Sequence, residues 1–282
     1  MDNRLDRRFA ELKRTGRKAF VSYLCAGDPT LEHTPALVAA LDRAGSDVVE
    51  LGLPFSDPLA DGVVNQLASQ RALDAGATPH GVLAAIQKAR ETSDVPIVLY
   101  AYVNLIFAYG VESFAQDALA AGVDGVLLLD LPPEEDDAGC AGLAEHDLKR
   151  ICLVAPTTPR ERIAEVVKHG SGFIYYVSRE GVTGMQSTVS TTIGERVALI
   201  RAVSDLPVCV GFGISNPEQA KAVASEADGV VVGSALVSRV AEWSQEGLGR
   251  DEVADRLETF ARPFAEAVHA AGSVTAGEKT AP

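Results

Sequence analysis

Cysteine and histidine are few in this chain, and positive charge is in deficit. The four cysteines, Cys25, Cys140, Cys152 and Cys209, form no C-x-x-C pair, and three sit in strand-like apolar runs. That pattern reads as buried thiols in a reducing compartment, not as a disulfide framework. The five histidines contain no metal-spaced pair, so no zinc site is expected. No apolar stretch reaches the roughly 18 to 20 residues of a membrane span, and the opening MDNRLDRRFAELKR lacks the apolar core of a secretory signal, so a cytoplasmic location is the expectation. With 25 Lys and Arg against 39 Asp and Glu, the formal net charge is −14. Such a surface repels nucleic acid and offers no polybasic membrane patch, so neither is expected as a partner. An anionic substrate must be held by local groups.

What the chain has is repetition. Its 282 residues are 47% hydrophobic, enough for a full core. Eight short apolar or β-branched runs alternate with helical stretches: AFVSYLC from Ala19, DVVELGL from Asp47, VPIVLYAY from Val95, DGVLLLD from Asp124, RICLVAP from Arg150, GFIYYVS from Gly172, LPVCVGFG from Leu206 and DGVVVGS from Asp228. Similar lead-in phrases recur, as AGSD (44–47), AGVD (121–124) and EADG (226–229), with SDVP (93–96) and SDLP (204–207) as a second version. Gly45 and Gly122 supply left-handed stops to the helices before them. Strands apolar on both faces, each followed by a helix, indicate a helix-covered parallel sheet. Eight such units predict an α/β fold, the (β/α)8 TIM barrel, with a doubly wound open sheet as the alternative. Residues 2–15 read as an extra amphipathic helix able to plug the barrel bottom. Long loops are expected after strand two (53–75, before its main helix) and after strand six (179–192), both at strand C-termini, where barrel active sites lie. Residues 1–271 are expected to form one domain and 272–282 an unstructured tail.

Three groups of residues have chemical potential. Glu50 is a carboxylate inside an apolar strand; alternation puts Val48, Glu50 and Gly52 on one face and Val49, Leu51 and Leu53 on the other, so Glu50 points into the barrel if the second face packs on helices. It reads either as an acid or base of raised pKa or as a structural glutamate tied to an arginine or a backbone amide. GFGIS (211–215) after strand seven and Gly233-Ser234 after strand eight resemble the glycine-rich cradle that holds phosphate on backbone N–H groups; Gly211 and Gly213 are also readable as plain turn glycines. Asp57 and Asp61 are ordinary turn residues by spacing alone. Tyr102 and Tyr175, near strand C-termini, are either pocket-lining or packed, and Arg179 and Thr183 either lid or solvated loop.

With these residues in place the chain resembles the tryptophan synthase α subunit family, from about Phe20 to Val240. The phrases that carry the resemblance are GDP (27–29), ELGLPFSDPLADG (50–62), LVAPTTPRERI (153–163), YVSREGVTG (176–184), GFGISNPEQA (211–220) and GVVVGSALV (229–237). The resemblance implies reverse-aldol cleavage of indole-3-glycerol phosphate to indole and glyceraldehyde 3-phosphate, with no cofactor in this chain. It puts the catalytic roles on Glu50 and Asp61, and the phosphate on groups around Gly184, Gly213, Gly233 and Ser234. Phe212 and Tyr23 are similar to substrate-contacting aromatic positions, Tyr175 to an active-site tyrosine, and Thr183 to a lid residue beside Asp61. The implied partner is a pyridoxal-phosphate β subunit in an αββα heterotetramer, with Pro54, Asp57 and the loop around Asn104 on the contact surface.

The chain departs from the family at three positions. Val63 stands where the family has proline, which loosens the Asp61 loop by about 1 kcal/mol of unfolded-state entropy. Asn65 replaces an aliphatic residue near the indole ring, and Tyr100 replaces a smaller leucine in the same pocket. A free-standing indole-3-glycerol phosphate lyase, a catalytically weak module that activates a β-type partner, and another sugar-phosphate isomerase are the competing readings.

Overall fold

The computed structural model describes residues 3–135, 141–178, 186–211 and 213–272. Helix α1 (Arg4–Thr15) precedes β1 (Ala19–Cys25), α2 (His33–Ala44), β2 (Val48–Gly52), α3 (Val63–Asp74), α4 (Pro79–Ala89), β3 (Ile97–Ala101), α5 (Val103–Tyr109), α6 (Val111–Ala121) and β4 (Gly125–Leu128). There follow a 3-10 turn (Pro133–Glu135), α7 (Ala141–Glu145), β5 (Lys149–Val154), α8 (Arg160–Val167), β6 (Ile174–Val177) and α9 (Gln186–Arg201). The chain ends with β7 (Val208–Gly211), α10 (Pro217–Glu226), β8 (Gly229–Val232), α11 (Ser234–Gln245) and α12 (Arg250–Ala271). Each strand pairs in parallel with the next, and β8 pairs with β1, so the sheet is a closed barrel and not the open alternative.

The alternation read from the sequence sets the two cores. Val21, Val48, Val98, Leu127, Ile151 and Phe173 fill the barrel interior, while Val49, Leu51, Leu99 and Ile174 pack outward under the helices. Helix α1 closes the lower end with Leu5, Phe9 and Leu12, and the Phe9 ring lies 5.5 Å from that of Phe173. Full burial of each such side chain contributes about 2 kcal/mol. Asn3 caps the helix by accepting from Leu5 N–H, and its amide donates to the carbonyls of Asp124 and Asp147 at 3.0 Å each.

The recurring lead-in phrases have a structural cause. In AGSD, AGVD and EADG, the aspartate just before the strand grips the preceding odd-numbered strand twice, at one residue. Asp47 N–H donates to Phe20 O while its carboxylate accepts from Phe20 N–H at 2.9 Å; Asp124 does the same with Ile97 at 2.8 Å and Asp228 with Val208 at 3.0 Å. Arginines face these carboxylates: Arg8 faces Asp47, Arg4 and Arg90 face Asp124, and Arg201 faces Asp228, while the His269 ring lies 2.8 Å from Asp47.

Gly45 and Gly122 end α2 and α6 at φ +100 and +90, as their positions after the last apolar turn predict. Both long loops are shorter than their composition suggests. The segment after β2 folds into the extra helix α3 from Val63, and the Ser- and Thr-rich segment after β6 is helical from Gln186. Ser and Thr cost only tenths of a kcal/mol each in a helix, which burial of Ile193, Val197 and Ile200 on α9 offsets.

Asp124→Ala removes the buried partner of Arg90, whose Nη2 lies 2.8 Å away, and the acceptor for Ile97 N–H. It is expected to cost about 3 kcal/mol in urea unfolding, against under about 0.5 kcal/mol for the exposed Asp94→Ala.

Candidate active site

Glu50 lies at the centre of β2 and is fully buried, pointing inward as the alternation predicts. Neither carboxylate oxygen has a hydrogen-bond partner among the described residues. The structural reading, a glutamate tied to an arginine or amide, is therefore not what these residues form. Loss of water penalises the charged form with nothing to offset it, and burial pushes the Glu50 pKa from 4.5 up to about 8. At neutral pH the group is mostly a carboxylic acid that can both give and take a proton.

Asp61 lies on the loop between β2 and α3 and faces different conditions. Its Oδ1 accepts from the Tyr100 hydroxyl at 2.8 Å and its Oδ2 from the Tyr102 hydroxyl at 2.9 Å. Desolvation raises its pKa, while the donors Tyr100 and Tyr102 and the nearby Asn65 side chain pull the other way. Tyr100 and Tyr102 are two residues apart on the inward face of β3 and its extension. Tyr23 packs edge-on against Tyr100 with ring centroids 5.0 Å apart. Burial pushes the phenols of Tyr23 and Tyr175 well above their usual value, and the negative charge of both Glu50 and Asp61 adds to this. Both carboxylates and both tyrosines thus share one mouth at the C-terminal end of the strands.

Glycines make room for that mouth. A Cβ on Gly52 would overlap the Tyr23 hydroxyl, and one on Gly211 the Tyr175 hydroxyl. Gly211, read as a turn or phosphate glycine, instead belongs to β7 and admits Tyr175. Gly213 is the turn glycine, at φ +73. Because Gly211 pairs with Val231, Gly213 and Gly233 follow at matching heights beyond β7 and β8. Gly233 is the N-cap of α11 and Ser234 its first residue, so the first N–H groups of a twelve-residue helix face this end of the barrel. A Cβ on Gly233 would come within 3.3 Å of Tyr23, which ties this corner to the carboxylate end. The neighbouring α10 has its first turn capped by Asn216, which accepts from Gln219 N–H at 2.9 Å.

Thr183, Gly184 and Phe212, with Arg179, lie outside the described residues. No group of three or more His, Cys, Asp or Glu side chains is placed to hold a metal among the described residues, and no described helix is long and apolar enough to cross a membrane. A cavity of about 420 Å³ opens at the opposite end of the barrel between α1 and the segment leading into β7. It is a seam beneath the plug helix, lined in part by Arg201, which pairs with Asp228, and Lys18, which donates to Ala227 O, both at 2.7 Å.

Comparison with known sequences decides the family: the profile of the tryptophan synthase alpha chain matches residues 9–269. This chain belongs to the tryptophan synthase alpha chain family. It is 49% identical over 277 residues to the alpha chain of Opitutus terrae, covering 98% of this chain and 99% of that one. The alpha chain of Geotalea daltonii is 52% identical over 241 residues, 86% and 91% of the two chains. Among solved structures, the alpha subunit from Legionella pneumophila str. Paris superposes with a TM-score of 0.86 at 38% identity over 95% of this chain and 99% of that one. Tryptophan synthase from Mycobacterium tuberculosis gives 0.84 at 35% identity over 95% and 99%.

Within an alpha chain, the three departures take on definite positions. Val63 is exposed and opens α3. Asn65 is half-buried, with its Oδ1 buried and without a partner among the described residues. Tyr100, read from the sequence as a residue reshaping the indole pocket, spends its hydroxyl on Asp61. Its spacing from Tyr102, one full strand period, was the available signal.

A carboxyl with a raised folded-state pKa favours the folded chain at low pH, and that contribution is lost as pH rises from about 4.5 through about 8. Glu50→Gln is therefore expected to unfold at nearly the wild-type urea midpoint at pH 4 and to be more stable than wild type at pH 9, by on the order of 5 kcal/mol.

Proposed function

We propose that this chain, a lyase of tryptophan synthesis, cleaves indole-3-glycerol phosphate to indole and glyceraldehyde 3-phosphate, with Glu50 as acid and base and Asp61 as the group that holds the ring N–H. The single observation that supports this most is the fully buried Glu50, unpartnered among the described residues, sharing one mouth with the hydrogen-bonded Asp61.

Protonated Glu50 gives its proton to indole C3, which leaves positive charge spread over the ring. Asp61 accepts from the ring N–H and stabilises that charge in a site of low dielectric. The Glu50 carboxylate then removes the proton from the side-chain hydroxyl. The O–H electron pair becomes the aldehyde C=O, and the pair of the breaking C–C bond returns to the ring. Glu50 ends protonated, as it began. Backbone groups at Gly213 and Gly233 with the Ser234 hydroxyl hold the phosphate, joined by Gly184. Tyr23, Tyr175 and Phe212 pack the substrate body, Tyr102 holds Asp61, and Thr183 closes over it. No step requires a cofactor in this chain.

The rim of the mouth favours a subunit over a free-standing lyase. Leu59, Val63, Leu67 and Phe107 are 91%, 69%, 54% and 48% exposed, on the loop after β2, on α3 and on α5. Apolar groups clustered around an active-site mouth fit a covering partner. Pro54, Asp57 and Asn104 lie in the same region. That partner is the pyridoxal-phosphate β subunit of an αββα assembly, which takes indole directly.

Indole release by the purified chain is expected to rise strongly when a β subunit is added and to fall about a thousandfold in Glu50→Gln. Its kcat/KM is expected to decline as pH rises through about 8, where Glu50 loses its proton. High activity without a partner points to the independent lyase, and no indole in either condition removes the lyase reading.

A further inference from the structure

Asp61 must be aimed from a loop that has little to stiffen it. The loop buries no residue of 55–62, and Gly62 and Val63, which follow Asp61, are exposed. Its local bonds, Asp61 N–H to Pro58 O at 3.0 Å and the Gln66 amide to Asp61 O at 2.9 Å, hold the loop to itself and to α3. The barrel's hold on the carboxylate comes from two phenols. Tyr102 has a double duty, because its hydroxyl also accepts from Ala60 N–H at 2.9 Å and its ring stacks on Phe55 at 4.9 Å. Tyr100 has one: its hydroxyl donates to Asp61 Oδ1 at 2.8 Å. Its ring is held independently, edge-on to Tyr23, and its backbone carbonyl accepts from Leu53 N–H at 2.9 Å where the loop leaves β2.

We infer that Tyr100 is a positioning residue, whose hydroxyl together with that of Tyr102 fixes the plane of the Asp61 carboxylate so that a remaining lone pair faces the ring N–H of the substrate. The inference rests on the role assigned to Asp61 above. One phenol on each oxygen restrains rotation about the carboxylate axis, and with the Asn65 side chain also drawn to the carboxylate an acceptor site remains for the ring N–H. Donors to a partly buried carboxylate also favour its charged form, the form that accepts an N–H and faces a cationic ring. A chain that lacks proline at position 63 thereby recovers, through a side-chain bond, some of the order that backbone stiffness would have supplied.

Tyr100→Phe tests this, since it keeps the ring against Tyr23 and removes only the donor. The probes are indole-3-propanol phosphate and its benzothiophene counterpart, in which sulfur replaces the ring N–H; each is titrated into the α chain assembled with its β subunit. Wild type is expected to prefer the N–H analogue, and Tyr100→Phe to lower that preference by about tenfold, the worth of one charge-assisted hydrogen bond. In the same variant kcat for cleavage is expected to fall more than KM rises. Tyr109→Phe, whose hydroxyl serves Asp117 instead, is expected to leave the preference unchanged. A Tyr100→Phe chain that keeps the full preference overturns the positioning role while leaving Asp61's role intact. Equal binding of the two analogues by wild type overturns the Asp61 reading and this inference with it. Should Tyr100→Phe fold poorly, Tyr100→His, which retains a ring donor, takes its place and is expected to keep more of the preference than Tyr100→Leu; the reverse order overturns the inference.

Discussion

Everything at the mouth of this barrel depends on a carboxyl group that has been taken out of water and given nothing in return. An isolated buried carboxylate costs several kcal/mol, and the chain meets that cost by keeping Glu50 protonated. The requirement reaches far from the group. The strand must be long enough in register to place residue 50 above the filled interior layers. The lower end must be sealed, which α1 does with Leu5, Phe9 and Leu12. The strands must keep their height relative to one another, and the aspartates at 47, 124 and 228 hold three pairs of them by gripping the preceding strand at one residue each.

The two carboxylates show how one barrel mouth gives similar groups different surroundings. Glu50, on a rigid strand and without donors among the described residues, is tuned toward the neutral acid. Asp61, on the loop after β2, also has its pKa raised by desolvation, but a phenol on each oxygen opposes that rise and fixes its orientation. A proton donor and a charge stabiliser are the two things that cleavage of a bond to indole C3 demands. Tyrosines fill the space between them and contribute low polarity, and Gly52 and Gly211 exist at their positions because those rings need the room.

Period and punctuation made much of this legible in the sequence. The alternation Val48, Glu50, Gly52 told which way the glutamate faces, and the eight runs with their repeated lead-ins told that the sheet is built from like units. Gly45 and Gly122 marked helix ends by a backbone conformation that few other residues adopt. What stayed hidden depended on contacts between distant segments. Residues 186–192 look like loop because Ser and Thr favour turns locally, yet the apolar residues further along α9 carry the helix back to Gln186. The aspartates of the lead-ins were visible as a repeat but not as clamps, since their partners lie 20 to 27 residues earlier. Tyr100 was visible only as an unusual bulk. Its bond to Asp61 spans 39 residues and two elements, and the strand-period spacing from Tyr102 reports only that both rings face inward.

The central claim is that burial alone keeps Glu50 protonated at neutral pH. A carbon-13 NMR titration of chain labelled at the glutamate side-chain carboxyls, with the Glu50 resonance assigned by its loss in Glu50→Gln, measures this directly. The account predicts a resonance that titrates near pH 8, set apart from the other glutamates. Titration of Glu50 near 4.5, the ordinary glutamate value, would contradict it, because it would mean that a donor or solvent reaches the carboxylate and that the group is already a charged base when the substrate arrives.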